Sequence, residues 1–137
     1  MGNFFDLLRR MALAIVMALV ISLFTVIVAW PFLAGYEGYV VTTDSMASTL
    51  YKGDMIFVKP VTPDELTANQ IVTMITEDGK GYLTHRIVSV NRSGGAIRTK
   101  GDANRTPDPK EIPMSRVVGA AVYRVPKIGM MTLGKKQ

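Results

Sequence analysis

From Met11 to Tyr36 the chain carries no charged residue: MALAIVMALVISLFTVIVAWPFLAGY. A run of this length constrains the fold strongly, because backbone polar groups in hydrocarbon must be satisfied within the segment, which makes it helical. As a helix it extends about 39 Å at 1.5 Å per residue, more than the roughly 30 Å hydrocarbon core requires. Pro31 and Gly35 are expected to end it, which leaves about twenty residues to span. A cleaved signal peptide is the competing reading, but its apolar region usually covers only about 7–15 residues before a small-x-small site. Trp30, Tyr36 and Tyr39 fall where interfacial aromatics sit. Arg9 and Arg10 precede the run, and the first charges after it are Glu37 and Asp44. The positive-inside bias therefore predicts a single-pass protein with a cytoplasmic N-terminus and the remainder on the outer face.

The remainder reads as short strands separated by turn residues. Met55–Lys59, Gln70–Thr76, Tyr82–Val90, Ala96–Lys100 and Arg116–Val125 are apolar or β-branched runs, punctuated by Gly53-Asp54, Glu77–Gly81 and Asn91–Gly95. No convincing amphipathic helix lies among them. The expected fold class is mainly β: a small antiparallel sheet or barrel-like domain preceded by one N-terminal transmembrane helix. Residues 1–36 are expected to form a cytoplasmic tip and anchor, 37–127 an extracytoplasmic β catalytic domain, and 128–137 a short C-terminal tail. In that tail Met130, Met131 and Leu133 are apolar and Lys135-Lys136 basic, which suits contact with a membrane surface or simple fraying.

Composition removes several function classes. With no cysteine, disulfide frameworks, thiol catalysis and thiolate metal sites are out of reach. One histidine argues against a His-built metal site; a carboxylate-only Mg²⁺ or Ca²⁺ site stays open, though no Asp/Glu cluster has EF-hand spacing, and no metal or cofactor is expected. The net charge of +5 comes from scattered residues, among them Lys52, Lys59, Arg86, Arg92, Arg98, Lys100, Arg105 and Arg124. Aromatics are not interleaved with them, so no nucleic acid partner is expected. Mild basicity beside an apolar anchor suits an anionic lipid surface better.

Chemistry is carried by Thr42-Thr43-Asp44-Ser45-Met46-Ala47-Ser48-Thr49-Leu50 and by His85, the sole histidine. If Ser45 is a nucleophile, His85 is the one side chain whose ordinary pKa suits a base near neutral pH. Such a serine also needs a group that holds the base in its correct tautomer, and donors for the oxyanion. Ser48 is three residues away and is not dismissed by position, whereas Ser22, Ser89, Ser93 and Ser115 lie in the anchor or in strands and turns. Bland readings stand beside these. A lone serine is commonly a turn or cap residue. Alternation puts His85 with Leu83 and Ile87, where it could be a bonded core imidazole. Asp102 and Asp108 sit in a Gly/Pro-rich loop that favours Asp as a turn former. Lys52, Lys59, Lys80 and Lys100 are alternative bases if buried.

The order apolar anchor, TTDSMASTL, GDMIFVKP, LTHRIVSV and TKGDANRTPDP resembles the type I signal peptidases, and specifically the archaeal/endoplasmic-reticulum branch with a Ser–His–Asp site. The resemblance covers about residues 10–125. It implies Ser45 as nucleophile and His85 as general base. Asp108 is implied as the acid that orients the histidine, with Asp102 as a supporting acid that holds the loop. It further implies that Thr43 helps the Ser45 backbone N–H stabilise the oxyanion. No lysine of this chain falls where the Ser–Lys branch keeps its base; His85 occupies that place. Two positions depart from the family pattern S-G-S-M-x-P-T: Asp44 stands where Gly is usual, and Ser48 where Pro is usual. Asp tolerates a left-handed backbone better than most residues, and the missing proline loosens the loop after Ser45.

The implied activity is removal of N-terminal signal peptides from preproteins leaving a translocon, by cleavage after small residues at the −1 and −3 positions. Val40, Val41, Met46 and Leu83 are expected to line the shallow apolar substrate pockets. About eight residues separate the anchor from Ser45, so at ~3.3 Å per extended residue Ser45 acts close to the bilayer. A free-standing, minimal chain favours a prokaryotic cell membrane over the endoplasmic reticulum. The alternative function is a catalytically inactive, membrane-tethered β domain that binds a partner.

Overall fold

The computed structural model describes residues 2–128 and 135–136. These form two compact units that divide between Gly35 and Tyr36. Met130, Met131 and Leu133 of the expected tail lie outside the described residues.

The first unit is helix α1, Gly2–Leu33. It takes in the charge-free run as far as Leu33 and, ahead of it, Asp6, Arg9 and Arg10. Asn3–Leu33 is long and apolar enough to cross a membrane by length and composition, and its large apolar side chains are exposed. Pro31 does not stop the helix, contrary to expectation; it lies inside the last turn. Its missing N–H removes one bond from the last turn, and the helix ends two residues later at Leu33. The chain leaves the helix at Gly35, whose φ of +79° suits glycine.

The second unit is an eight-stranded sheet in the order β6-β5-β4-β3-β7-β2-β1-β8. Its strands are β1 (Glu37–Val40), β2 (Met55–Lys59), β3 (Ile71–Ile75), β4 (Tyr82–Asn91), β5 (Ala96–Lys100), β6 (Ile112–Pro113), β7 (Val117–Val125) and β8 (Lys135–Lys136). Strands β1–β7 pair antiparallel and curl into a half-barrel, while β8 adds in parallel to β1. Two strands, β1 and β6, are not among those expected from the sequence. Strand β1 contains Gly38 and follows directly on the apolar run, and β6 has two residues of which one is Pro113, so neither shows a β pattern by itself.

Two clusters form the core. Tyr39, Val41, Met46, Leu50, Ile56 and Val58 pack together at the β1–β2 end. Leu66, Val72, Met74, Ile87, Ile97 and Met114 pack at the β3–β5 end. Burial of such side chains contributes about 1.5–3 kcal/mol each. Buried polar groups are matched: Thr73 and Thr84, directly opposite on β3 and β4, share a 2.8 Å hydrogen bond. Strand β4, which supplies Ile87 to the second cluster, is paired on both sides, by β3 and by β5. That makes it a rigid support for His85 at its centre.

Candidate active site

The β1–β2 connection carries Ser45. Its base is closed by Val41 N–H on Asp54 O and Gly53 N–H on Val41 O, each at 2.9 Å. Asp54 is almost fully buried and accepts from the Tyr51 and Lys127 N–H groups and from Arg124 at 2.7 Å. Burial pushes the Asp54 carboxyl pKa up, but these donors outweigh it and hold the value below the usual range. Within the loop, Ala47 N–H bonds Asp44 O and Leu50 N–H bonds Met46 O, so Ser45 sits in a tight double turn. The left-handed residue there is Ser48, with φ +83°, and not Asp44. The glycine-like conformation that the resemblance suggested at position 44 is thus displaced four residues along.

Ser45 Oγ lies 3.2 Å from His85 Nε2, and His85 Nδ1 lies 2.7 Å from Asp108 Oδ2. An ionised carboxylate only accepts, so Nδ1 carries the proton and Nε2 presents its lone pair to the Ser45 hydroxyl. His85 is 5 % exposed and Ser45 is half-buried. Thr43 Oγ1 is also 3.2 Å from Ser45 Oγ, on an exposed side chain. The structure therefore brings Thr43, Ser45, His85 and Asp108 into one chain of contacts drawn from three segments.

Asp102 is held elsewhere. It takes a forked contact from Arg86, Nε to Oδ1 at 2.8 Å and Nη2 to Oδ2 at 2.7 Å, and a third hydrogen bond from Thr49 Oγ1 at 2.6 Å. The Arg86 guanidinium, with Thr49, holds its pKa below the usual carboxylate range despite partial burial. Arg86 follows His85 on β4, so alternation sends the two side chains to opposite faces. Ala103 N–H bonds Ser45 O at 2.9 Å, which ties the Asp102 loop to the serine loop. At Gly101 a Cβ would stand 2.5 Å from Ser45 O and 3.0 Å from His85 Nε2. Only glycine fits there. Thr99, whose hydroxyl donates to Asp108 Oδ2 at 2.7 Å, escaped the sequence reading, as did Arg86, Thr49 and Gly101; the single usable signal was Arg86 beside the lone histidine.

The remaining expected residues are placed as follows. Val40, Val41 and Met46 are buried, the last two inside the first core cluster. Leu83 is half-buried and borders a cleft of about 580 Å³ between the β3–β4 hairpin and the segment after Asp108, with Asp108 itself on its wall. Lys52, Lys59 and Lys80 are exposed and Lys100 is half-buried. Ser45 Oγ has its contacts with His85 and Thr43, not with these lysines.

Comparison with known proteins puts the chain in a class: it belongs to the type I signal peptidases, of the endoplasmic-reticulum/archaeal type. The relatives behind this are the signal peptidase complex catalytic subunits SEC11C of Homo sapiens, Mus musculus and Canis lupus familiaris. Each is 32 % identical over 104 residues, which cover 69 % of this chain and 54 % of the relative. The chain thus spans about half the length of the curated relatives it matches. No family model matches it.

Proposed function

We propose that this protein is a membrane-bound serine endopeptidase that removes N-terminal signal peptides from secreted preproteins through an acyl-enzyme. The observation that carries the reading is the contact of Ser45 Oγ with Nε2 of the chain's one imidazole, whose other nitrogen rests on Asp108. His85 Nε2 takes the Ser45 proton as Oγ bonds the scissile carbonyl carbon. The Ser45 N–H and the Thr43 hydroxyl donate to the oxyanion. His85 then gives the proton to the leaving amine, and the mature N-terminus departs. Water, deprotonated by His85, cleaves the ester and returns Ser45. Asp108 keeps the Nδ1 proton in place and stabilises the imidazolium, while Asp102 holds the loop.

Cleavage after small residues is the specificity that the family resemblance implies for this reading. Of the four expected lining residues, Val40, Val41 and Met46 are turned into the core, and half-buried Leu83 on the cleft beside Asp108 offers the apolar wall. Helix α1 is read as a single-pass anchor with Arg9 and Arg10 on the cytoplasmic side, residues 37–127 as the catalytic domain, and 128–137 as a tail. The bilayer and preproteins at the secretion translocon are its partners in this reading. The matched relatives are mammalian, of the endoplasmic-reticulum type, and lend no weight to a prokaryotic membrane.

The test is cleavage of a preprotein by the full chain in detergent. Wild type should release the mature protein, and Ser45→Ala and His85→Ala should each abolish release. A partner-binding β domain would ignore both substitutions, so no difference between the three would reject the peptidase reading.

A further inference from the structure

We propose that Thr99 is a positioning residue for this reaction, holding the Asp108 carboxylate in the orientation from which it fixes His85; this rests on the peptidase reading of Ser45, His85 and Asp108. Thr99 lies on β5, fully buried, opposite Ile87 of β4 and so two residues along that strand from His85. Its hydroxyl donates to Asp108 Oδ2 at 2.7 Å, and this is the same oxygen that faces His85 Nδ1. Its carbonyl accepts the Asp108 N–H at 2.8 Å. One residue therefore holds both the backbone and the carboxylate of Asp108.

The need for such a hold follows from where Asp108 sits. It ends a loop whose residues Ala103 to Pro107 are exposed. A carboxylate on such a loop, given one acceptor contact to an imidazole, can still rotate about its own side-chain bonds. A second donor converging on the same oxygen removes that freedom, because β5 is locked between β4 and β6. Arg98, the preceding residue of β5, adds a contact from Nη1 to Asp108 O at 3.3 Å. The groups around His85 are otherwise occupied: Asp102 is paired with Arg86, and Ser45 stands on the Nε2 side.

The bland reading is that a buried β-branched residue merely fills a strand and its hydroxyl takes any acceptor. Valine has nearly the same shape and no hydroxyl, so it separates the two readings. In the full chain in detergent, Thr99→Val should lower kcat about 10- to 100-fold with KM held within about twofold. Thr99→Ser, which keeps the donor, should restore kcat to within about threefold. Because the chain has one histidine, its Nδ1–H resonance is unambiguous in an NMR spectrum. That resonance should move in Thr99→Val and return in Thr99→Ser. Wild-type kcat in Thr99→Val, or failure of Thr99→Ser to restore both readouts, would overturn the proposal. If Thr99→Val does not fold, Thr99→Ala against Thr99→Ser makes the same comparison. A wild-type chain with no cleavage would sink the peptidase reading alone, since the NMR comparison still reports whether Thr99 controls the Asp108–His85 contact.

Discussion

Arg86 grips Asp102 with two nitrogens on two oxygens, at 2.8 and 2.7 Å, one residue along β4 from His85. This fork separates the two aspartates of the Gly101–Pro113 segment. Asp102 is already neutralised by a charged partner and by Thr49, while Asp108, with no Lys or Arg on its carboxylate among the described residues, faces the imidazole. Asp108→Asn should therefore cut kcat steeply, by about 10²–10⁴-fold, as loss of tautomer control does in serine hydrolases. Asp102→Asn should act mainly on stability, costing about 1–3 kcal/mol by urea unfolding. Equal, mild losses of turnover in both variants would reject this division of roles.

Acid should weaken the β unit through Asp54 and Asp102. Both carboxyls have folded pKa values below their ordinary 3.8. A lowered folded pKa means the unfolded chain binds protons first as pH falls. The stabilisation is thus complete above the ordinary value and is lost as pH drops below it through the folded values. Unfolding free energy measured from pH 6 down to pH 2 should fall most steeply below about pH 4, and Asp54→Asn should flatten that slope. An unchanged slope in Asp54→Asn would show that the buried cluster with Arg124 is not its source.

Ser48 at φ +83° predicts an unequal response to the family's usual residues. Proline is confined to φ near −65°, so Ser48→Pro should break the turn after Ser45 and cost about 3 kcal/mol or more, with loss of activity. Ser48→Gly should instead stabilise by about 0.5–1 kcal/mol, the strain relieved less the added chain entropy. Asp44 has no left-handed backbone to relieve, so Asp44→Gly should gain nothing in stability. Thermal melts of the three variants decide it. A Ser48→Pro chain as stable as wild type would contradict the turn geometry.

Gly101 predicts a steric effect on the site itself. A Cβ there meets Ser45 O at 2.5 Å, Asn104 Nδ2 at 2.8 Å and His85 Nε2 at 3.0 Å. Gly101→Ala must push apart the serine loop and the imidazole, and a displacement near 1 Å costs about 10²-fold in rate. Cleavage assays beside a melting curve should show turnover lost further than stability. Wild-type turnover would mean that the loop yields without disturbing Ser45 and His85.

The hydrophobic pattern by itself determined the long helix, the five strands β2, β3, β4, β5 and β7 to within about a residue or two at their ends, and the antiparallel class, because burial periodicity and turn residues are local. It also carried the family resemblance, since ordered boxes are a property of the string. It could not show β1 or β6, whose Gly38 and Pro113 leave no local β signal. Nor could it distinguish Asp102 from Asp108, find Thr99, or move the left-handed residue from position 44 to 48. Those were decided by the sheet: pairing β4 with β5 sets Thr99 and His85 around one carboxylate, and strand alternation turns Arg86 away to the other. Contacts between segments distant in the chain have no periodicity to read, and only packing selects among side chains that look alike in sequence.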